Sequence, residues 1–443
     1  MLDINKFQNI HFVGIKGVGM AALARALFDV GKTISGSDIE KEFITQKSLN
    51  EIGVKSTVGF AVDTFPTKTD LVIYTAAHGG RSNPQVLIAL NRNIPVIPYG
   101  KALQLTFAIK KIIAVSGTHG KTTTSAMLAT ILNNAGMKPS WIVGTGEVPD
   151  LGANGHFGEG EWAVIEADEY VDEPGGKPKF LHLNPFGLII TSLDYDHPDV
   201  FPTHKLFLNA FHKLLKRVDE KGILVAKNDL PYLRKISKGF KGTIRWVGYD
   251  KLYPGLKELI IPGKHNLLNA SFAARTAHEI GVNQKIILSS LQLFQGLQRR
   301  LEDKGVYKNF ILIDDYAHHP QEIQAALGAI KEKYPGRPIV TIFQAHTYSR
   351  TAALLGQFGE SFKDADYVFV APIFASARET APESEIDLPA AIKRNNGNVI
   401  VVNDENDFRS KFNQLEKTIQ APAILLTMGA GDICSWTDDL KAR

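Results

Sequence analysis

The sequence predicts an α/β protein with three domains built on mostly parallel sheets. Short apolar runs alternate with longer amphipathic stretches, and these runs fall into three groups along the 443 residues. Strands that are apolar along their whole length are usually covered by helices on both faces, as in parallel sheets. A chain of this length also exceeds the size of one ordinary domain.

The three groups of predicted strands define the domain organisation. The first group contains residues 10–15, 71–76 and 95–100. The second contains residues 112–117, 163–168, 187–194 and 222–227, and the third contains 310–316, 339–344, 367–372, 399–404 and 423–429. We place one boundary near residue 107 and the other near residue 304, in a polar turn predicted at 302–305. The predicted domains are therefore 1–107, 108–304 and 305–443.

Composition narrows the class of protein. The 50 Lys and Arg residues and 46 Asp and Glu residues give a net charge of +4, with no long run of one sign. This pattern predicts no nucleic-acid partner and no membrane partner. The single cysteine, Cys434, fits a reducing compartment, and no signal peptide or transmembrane run is apparent. We expect a cytoplasmic protein that acts on small molecules as a monomer or a weak homodimer.

The strongest motif is a glycine-rich loop between an apolar strand and a helix with apolar periodicity. It consists of Gly117, Thr118, His119, Gly120, Lys121, Thr122 and Thr123. Glycines let backbone amides turn toward phosphate oxygens, and the helix N-terminus adds donors. In such a loop, Lys121 binds the β- and γ-phosphates of ATP and Thr122 binds Mg²⁺. Val115 stands where the usual pattern has its first glycine, so the loop is a tighter variant; a chance glycine-rich turn is the alternative.

Two predicted strands end in clusters of acidic residues, at 166–170 and 194–199. Ligands bind at the carboxyl ends of strands in open α/β sheets, and Mg²⁺ prefers oxygen ligands. We therefore expect Glu166 to hold the metal opposite the phosphate loop. His197 is a candidate for a second metal or a bridging water. The alternative is that these are solvated loop residues or helix caps.

A second glycine loop lies near the N-terminus, again between a predicted strand and a helix. Its candidate binding residues are Gly14, Lys16, Gly17, Val18 and Gly19. Such a turn suits a diphosphate at a helix start. Ser37 and Asp38 follow about 20 residues later, where the dinucleotide-binding pattern places an acid on a ribose hydroxyl. A tight turn without a ligand is the alternative.

Nine segments in order resemble the Mur ligase family, and the resemblance covers nearly the whole chain: GIKGVGM, GTHGKTT, EADE, DYDH, GKHNLLNA, GLQRRLE, DDYAHHP, AHTYSRT and GAGD. It implies a Rossmann-like N-terminal domain for a UDP-sugar, a central P-loop ATPase domain with a mostly parallel sheet, and a Rossmann-like C-terminal domain for an amino acid. It also implies that ATP phosphorylates the muramoyl carboxylate of UDP-N-acetylmuramic acid. An amino group then attacks the acyl phosphate.

The resemblance also implies roles for individual residues. Lys121, Glu166, His197, His319 and Arg350 take part in catalysis, with Thr122, Glu166 and His197 as metal ligands. The ATP-binding residues beyond the phosphate loop are His265, Asn266, Asn269, Arg300 and Asp315. His318 and His319 face the reacting groups. The asparagines otherwise cap a helix, and the two histidines otherwise form the turn before Pro320.

The segment 343–351 resembles the branch of the family that adds L-alanine. There Arg350 pairs with the amino-acid carboxylate beside His346. Residues 36–46, 374–379 and 429–432 favour the same branch. Against it, Ala345 and Thr347 depart from the branch pattern, and the long segment 166–185 resembles the branch that adds a ready-made murein tripeptide. Two further alternatives are a non-catalytic nucleotide-binding regulator and a folate- or cyanophycin-type ligase.

Overall fold

The computed structural model describes residues 2–173, 175–375 and 386–440. The chain forms two compact units. The first contains the chain up to Asp196 together with Val200–Ile260 and Asn266–Gln295, and the second contains His197–Asp199, Ile261–His265 and the chain from Gly296 onward. Three sheets of five, seven and six strands are present, two in the first unit and one in the second.

The first sheet is parallel throughout, in the order β3-β2-β1-β4-β5. Its strands are β1 (Asn9–Val13), β2 (Thr33–Asp38), β3 (Thr57–Val58), β4 (Leu71–Tyr74) and β5 (Val96–Pro98). Its helices are α1 (Val18–Asp29), α2 (Gln46–Glu51), α3 (Pro84–Asn91) and α4 (Tyr99–Thr106). The strand order reverses at β1, because β2 and β4 lie on opposite sides of it. A ligand crevice is expected beyond the carboxyl end of β1.

The second sheet has the order β12-β11-β10-β6-β9-β7-β8, in which β8 alone of the seven is antiparallel to its neighbour. Its strands are β6 (Lys111–Ser116), β7 (Ser140–Ile142), β8 (Gly155–His156), β9 (Trp162–Glu166), β10 (Gly187–Ile190), β11 (Ile223–Lys227) and β12 (Thr243–Val247). Five helices accompany this part of the chain: α5 (Lys121–Asn134), α6 (His204–Leu215), α7 (Pro231–Ile236), α8 (Lys264–Glu279) and α9 (Gln284–Gln292). The central strand β6 lies between β9 and β10, so the ends of these three strands meet.

The third sheet has the order β13-β14-β18-β15-β16-β17, with β13 antiparallel. Its strands are β13 (Glu302–Tyr307), β14 (Phe310–Asp315), β15 (Ile339–Phe343), β16 (Tyr367–Val370), β17 (Val399–Val401) and β18 (Ala423–Met428). The helices are α10 (Pro320–Lys333), α11 (Tyr348–Ala353), α12 (Leu355–Glu360), α13 (Leu388–Lys393) and α14 (Glu405–Leu415). Every residue of β15 and β18 is buried, as expected for strands covered on both faces.

The predicted fold class, three α/β domains with mostly parallel sheets, is confirmed. One prediction is wrong: residues 302–305 form the start of β13 and not a turn, so the proposed boundary at 304 falls inside a strand. The polar segment pairs with β14 across an irregularity between Asp303 and Gly305, where Gly305 has φ +99°. Within the described ranges, no helix has both the length and the apolar character needed to cross a membrane.

Candidate active site

The phosphate loop follows β6, at the point where the order of the second sheet reverses. Gly117 (φ +129°) and Gly120 (φ +79°) adopt backbone conformations that favour glycine. Neither position has room for a side chain, because a Cβ would collide with the Thr191 hydroxyl at Gly117 and with Oδ1 of Asn269 at Gly120. The predicted turn is therefore present. Asn269, which lies on α8, packs directly against it.

The rest of the loop is tied to the end of β10. The Thr118 hydroxyl donates to the carbonyl of Asp194 (2.5 Å), and the His119 amide donates to the Ser192 hydroxyl (2.8 Å). Thr123 is buried at the start of α5. These contacts fix the loop conformation at the carboxyl ends of the central strands.

Lys121 reaches back across the loop. Its Nζ donates to the carbonyl of Gly117 (2.6 Å) and forms an ion pair with Oε1 of Glu169 (2.9 Å). Burial lowers the pKa of Lys121, but the charges of Glu169 and Asp168 outweigh it, so the pKa is raised. Lys121 is therefore charged at neutral pH, as a phosphate-binding lysine must be.

The predicted metal ligands Thr122 and Glu166 are adjacent. The Thr122 hydroxyl donates to Oε1 of Glu166 (2.9 Å), and Oε2 of Glu166 accepts from the Gly144 amide (2.7 Å). Two hard oxygen donors thus stand beside the phosphate loop, and this donor set fits Mg²⁺.

Three further acidic residues lie beyond the ends of β9 and β10, and no motif marks them individually. The ligand atoms of Glu169 and Asp196, both buried, lie within 4.8 Å of each other. Asp168 accepts from Lys179 Nζ (2.7 Å). The signal for Glu169 was its position three residues after Glu166 in EADE. His197 directly follows Asp196, has φ +55° and belongs to the second unit.

The N-terminal glycine loop connects β1 to α1 and is held by its own side chains. Gly14 has φ +85°, and its amide donates to the Ser37 carbonyl (2.9 Å). Lys16 is buried: its amide donates to Oδ2 of Asp38 (2.7 Å), and its Nζ donates to two backbone carbonyls. The carboxylate predicted to reach a ribose thus also organises the loop.

The start of α1 completes this loop. Gly17 is the N-terminal cap of α1 and Val18 its first residue. A Cβ on Gly19 would stand 2.7 Å from the hydroxyl of Tyr99, so only a glycine allows Tyr99 to lie this close to the helix. The described residues therefore combine the predicted tight turn with a helix start at which Gly17 and Val18 are exposed.

In the second unit, the predicted nucleotide residue Asp315 is the last residue of β14. Asp315 accepts from the amides of Leu301 (2.7 Å) and Ala317 (2.8 Å). Burial raises the pKa of Asp315 to about 6, against the opposing charge of Arg300. Burial and the charge of Arg300 together lower the pKa of His265 to about 4.

The two consecutive histidines form the start of α10. His319 is the N-terminal cap: its Nδ1 accepts from the Gln321 amide (3.3 Å), and Glu322 completes a capping box. The Nδ1 atom of His318 lies 2.9 Å from the Tyr316 carbonyl. His319 therefore takes the helix-start position that was the alternative to a catalytic role, and the catalytic role stays a prediction.

Arg350 and His346 lie together at the end of β15, as expected. Arg350 is 3% exposed, and its NH1 donates to the His346 carbonyl (3.2 Å). The His346 ring stacks on Phe374 with centroids 5.8 Å apart and lies 6.1 Å from the His318 ring. Thr347 has φ +72°, an unusual value for a β-branched residue, and caps α11. Residues 376–379 of the segment that favours the alanine branch lie outside the described residues.

A glycine phosphate loop closed by a lysine, with a threonine–glutamate oxygen pair beside it, defines a nucleotide-binding α/β protein. Family models match almost the whole chain. "Mur ligase family, catalytic domain" matches residues 9–111, "Mur ligase middle domain" matches 115–254, and "Mur ligase, glutamate ligase domain" matches 299–431. The chain belongs to the Mur ligase family.

Two curated relatives bear the name UDP-N-acetylmuramate–L-alanine ligase. The one from Desulforapulum autotrophicum is 36% identical and covers 97% of each chain. The one from Aquifex aeolicus is 34% identical and covers 98% of this chain and 97% of its own.

Solved structures show the same architecture. The UDP-N-acetylmuramate–alanine ligase of Thermotoga maritima has a TM-score of 0.75 at 26% identity and covers 99% of both chains. A murein peptide ligase from Psychrobacter arcticus has a TM-score of 0.71 at 23% identity over 98% of both chains, which is a likeness of fold alone.

Proposed function

We propose that this protein is an ATP- and Mg²⁺-dependent ligase that joins L-alanine to the carboxylate of UDP-N-acetylmuramic acid, through an acyl phosphate, in peptidoglycan precursor synthesis in the cytoplasm. The observation that carries the proposal is the Thr122–Glu166 oxygen pair beside a loop whose lysine is held charged. Relatives of 36% and 34% identity along nearly the whole chain carry the name of this activity.

The proposed roles follow the geometry of each unit. In the first unit, the phosphate loop binds the ATP phosphates, Asn266 and Asn269 contribute to the adenine side, and Thr122 and Glu166 hold Mg²⁺. The N-terminal glycine loop binds the UDP-sugar. In the second unit, His265, Arg300 and Asp315 face the nucleotide. Arg350 there binds the L-alanine carboxylate, since a buried guanidinium suits bidentate pairing. We propose three domains, with one boundary near residue 107 and the other before β13 instead of at residue 304. The protein is proposed to act as a monomer or a weak homodimer.

A second candidate function is supported by the length of the connection between β9 and β10. This connection is the long segment that resembles the tripeptide-adding branch, and it includes the 3₁₀ helix Lys179–His182. In this alternative, the acceptor is L-Ala-γ-D-Glu-diaminopimelate and the sugar nucleotide is unchanged.

The decisive experiment measures phosphate release from the purified protein with ATP, Mg²⁺ and UDP-N-acetylmuramic acid. L-Alanine, L-serine, glycine and the tripeptide are supplied separately, and the conjugate is identified by mass. Release that requires L-alanine supports the proposal. Release with the tripeptide alone moves the protein to the second candidate, and no release with any acceptor contradicts both.

A further inference from the structure

The connection between β9 and β10 folds back on itself just beyond the metal-ligand strand. Val171 and Pro178 form an antiparallel bridge, and the Lys179 amide donates to the Tyr170 carbonyl (2.9 Å). The Phe180 amide donates to the Asp168 carbonyl (3.1 Å). This hairpin-like return places Lys179 beside Asp168, although 11 residues of chain separate them.

The Lys179 ammonium lies at the edge of the acidic cluster formed by Glu166, Asp168 and Glu169. Its Nζ lies 2.7 Å from Oδ2 of Asp168 and 5.4 Å from the ring centroid of Tyr170. The Lys179 side chain retains 12% exposure, so a ligand can reach it.

The local charges favour a cationic side chain as a partner for an anion that binds here. Glu166, Asp168 and Glu169 all stand at the end of β9, and each repels an incoming carboxylate. Lys121 is engaged by the phosphate loop and Glu169. A lysine at this strand end adds a positive partner for a substrate carboxylate to the Mg²⁺ proposed at Thr122 and Glu166, because a carboxylate among acids is disfavoured without cations.

The position of Lys179 also fits a substrate that binds at the N-terminal glycine loop and extends toward the phosphate loop. Tyr99, whose hydroxyl lies against Gly19, has its pKa raised by burial and by the nearby Asp168 and Glu166. The next residue, Gly100, donates its amide to Asp172 (3.0 Å), and a Cβ there would stand 3.0 Å from the Lys179 carbonyl. Tyr99 and Gly100 thus link the sugar loop to the segment that carries Lys179.

We propose that Lys179 binds the lactyl carboxylate of the sugar-nucleotide substrate and holds it beside the phosphate loop. The inference rests on the proposed function and adds a substrate-binding residue to it. Asp168 holds the ammonium in place until the substrate carboxylate pairs with it. The connection between β9 and β10 is then a part of the sugar-nucleotide site.

The test compares two ligands that differ at the proposed point of contact. UDP-N-acetylmuramic acid carries the lactyl carboxylate, and UDP-N-acetylglucosamine lacks it. Both are titrated calorimetrically into the full chain and into Lys179→Met, Lys179→Gln and Lys179→Arg. Lys177→Met serves as the matched control, because Lys177 is an exposed lysine on the same segment. Thermal unfolding of each variant shows whether it is folded.

We expect Lys179→Met and Lys179→Gln to weaken binding of the muramic acid ligand by about tenfold or more and to leave the glucosamine ligand within about twofold. Lys179→Arg retains most of the affinity, and Lys177→Met changes neither ligand. Equal losses for both ligands, or no loss for either, would overturn the proposal. Failure of the proposed function has a different signature, since it leaves this discrimination intact while L-alanine causes no phosphate release.

Discussion

The Nζ atom of Lys121 lies 2.9 Å from Oε1 of Glu169, whose side chain is 1% exposed. The phosphate-loop lysine is therefore half of a buried ion pair as well as the proposed phosphate ligand. Removing one member of such a pair leaves the other charge buried, which costs far more than the pair itself contributes. The pairing makes the stability and the activity of the loop separable by mutation.

We predict that Lys121→Met abolishes ATP turnover and lowers the free energy of unfolding by about 3 kcal/mol, because Glu169 loses this cation. The double variant Lys121→Met with Glu169→Gln removes both charges and recovers most of the stability without recovering turnover. Urea unfolding and phosphate release measure the two effects. A folded single variant with wild-type turnover would refute the phosphate-loop assignment.

We predict that Gly120→Ala is more damaging than the same change at Gly136. Both glycines have φ near +75°, at +79° and +72°, so both variants carry similar backbone strain. A Cβ at Gly136 meets nothing within 4 Å, whereas at Gly120 it collides with Asn269. ATP affinity, measured by titration, should fall about tenfold or more in Gly120→Ala and not in Gly136→Ala. If Asn269 also contacts the nucleotide, adding Asn269→Ala does not restore the ATP affinity of Gly120→Ala. Full restoration of the affinity would show that Asn269 only packs against the phosphate loop.

We predict that Arg350→Met raises the KM for L-alanine by about tenfold to a hundredfold and leaves the KM for ATP within about twofold, because a carboxylate loses a charge-assisted partner. The control is Arg409→Met, which removes an arginine that pairs with Glu405 on α14. Steady-state kinetics with each substrate varied in turn separate the two constants. An equal rise in both constants would place Arg350 away from the amino acid.

We predict a pH-dependent contribution to stability from His11. Burial lowers the pKa of His11 from 6.5 to about 4, although its hydrogen bond to Gln85 acts in the opposite direction. The unfolded chain therefore binds a proton more readily than the folded one, so stability is highest above pH 6.5 and falls as the pH drops toward 4. The loss amounts to about 3 kcal/mol across this window.

Chemical unfolding at pH 7 and pH 4.5 checks this prediction. His11→Gln, which cannot take up a proton, should lose less stability between these values than the wild type. His278→Gln is the control, because His278 is exposed on α8. If His11→Gln and the wild type have the same pH dependence, the buried histidine is not the cause.

Much of the architecture was predictable because buried parallel strands are short, continuous apolar runs. The runs at residues 112–117 and 423–429 coincide with β6 and β18 within a residue. Six strands were missed, and they are of several kinds. β7 (SWI) has only three residues, and β12 (TIRWV), at the edge of its sheet, has an exposed arginine at its centre. β2 (TISGSD) and β13 (EDKGVY) are polar or contain glycine, and β3 and β8 have two residues each. Pairing with a neighbour creates these strands, and a local pattern does not contain that information.

The candidate site likewise contains some features that the local sequence indicates and others that depend on the fold. The glycine loop and the neighbouring Glu166 carry local signals, so the sequence indicated both. The contacts of Lys121 with Glu169 and of Lys179 with Asp168 depend on how two separate segments meet. The resemblance implied a catalytic role for His319, and the structure adds that His319 caps α10. A motif identifies residue types, and only the fold shows which atoms they contact.

Gly100 constrains how this family member can change its sequence. A Cβ at this position would stand 2.8 Å from the His182 ring and 2.9 Å from the Asp172 carboxylate, so the residue cannot become alanine while the connection between β9 and β10 keeps its course. In a homologue with a shorter connection, the residue at this position does not have to be glycine. The identity of residue 100 and the length of the connection should therefore covary among homologues. A sequence alignment can reveal this covariation without any biochemical measurement.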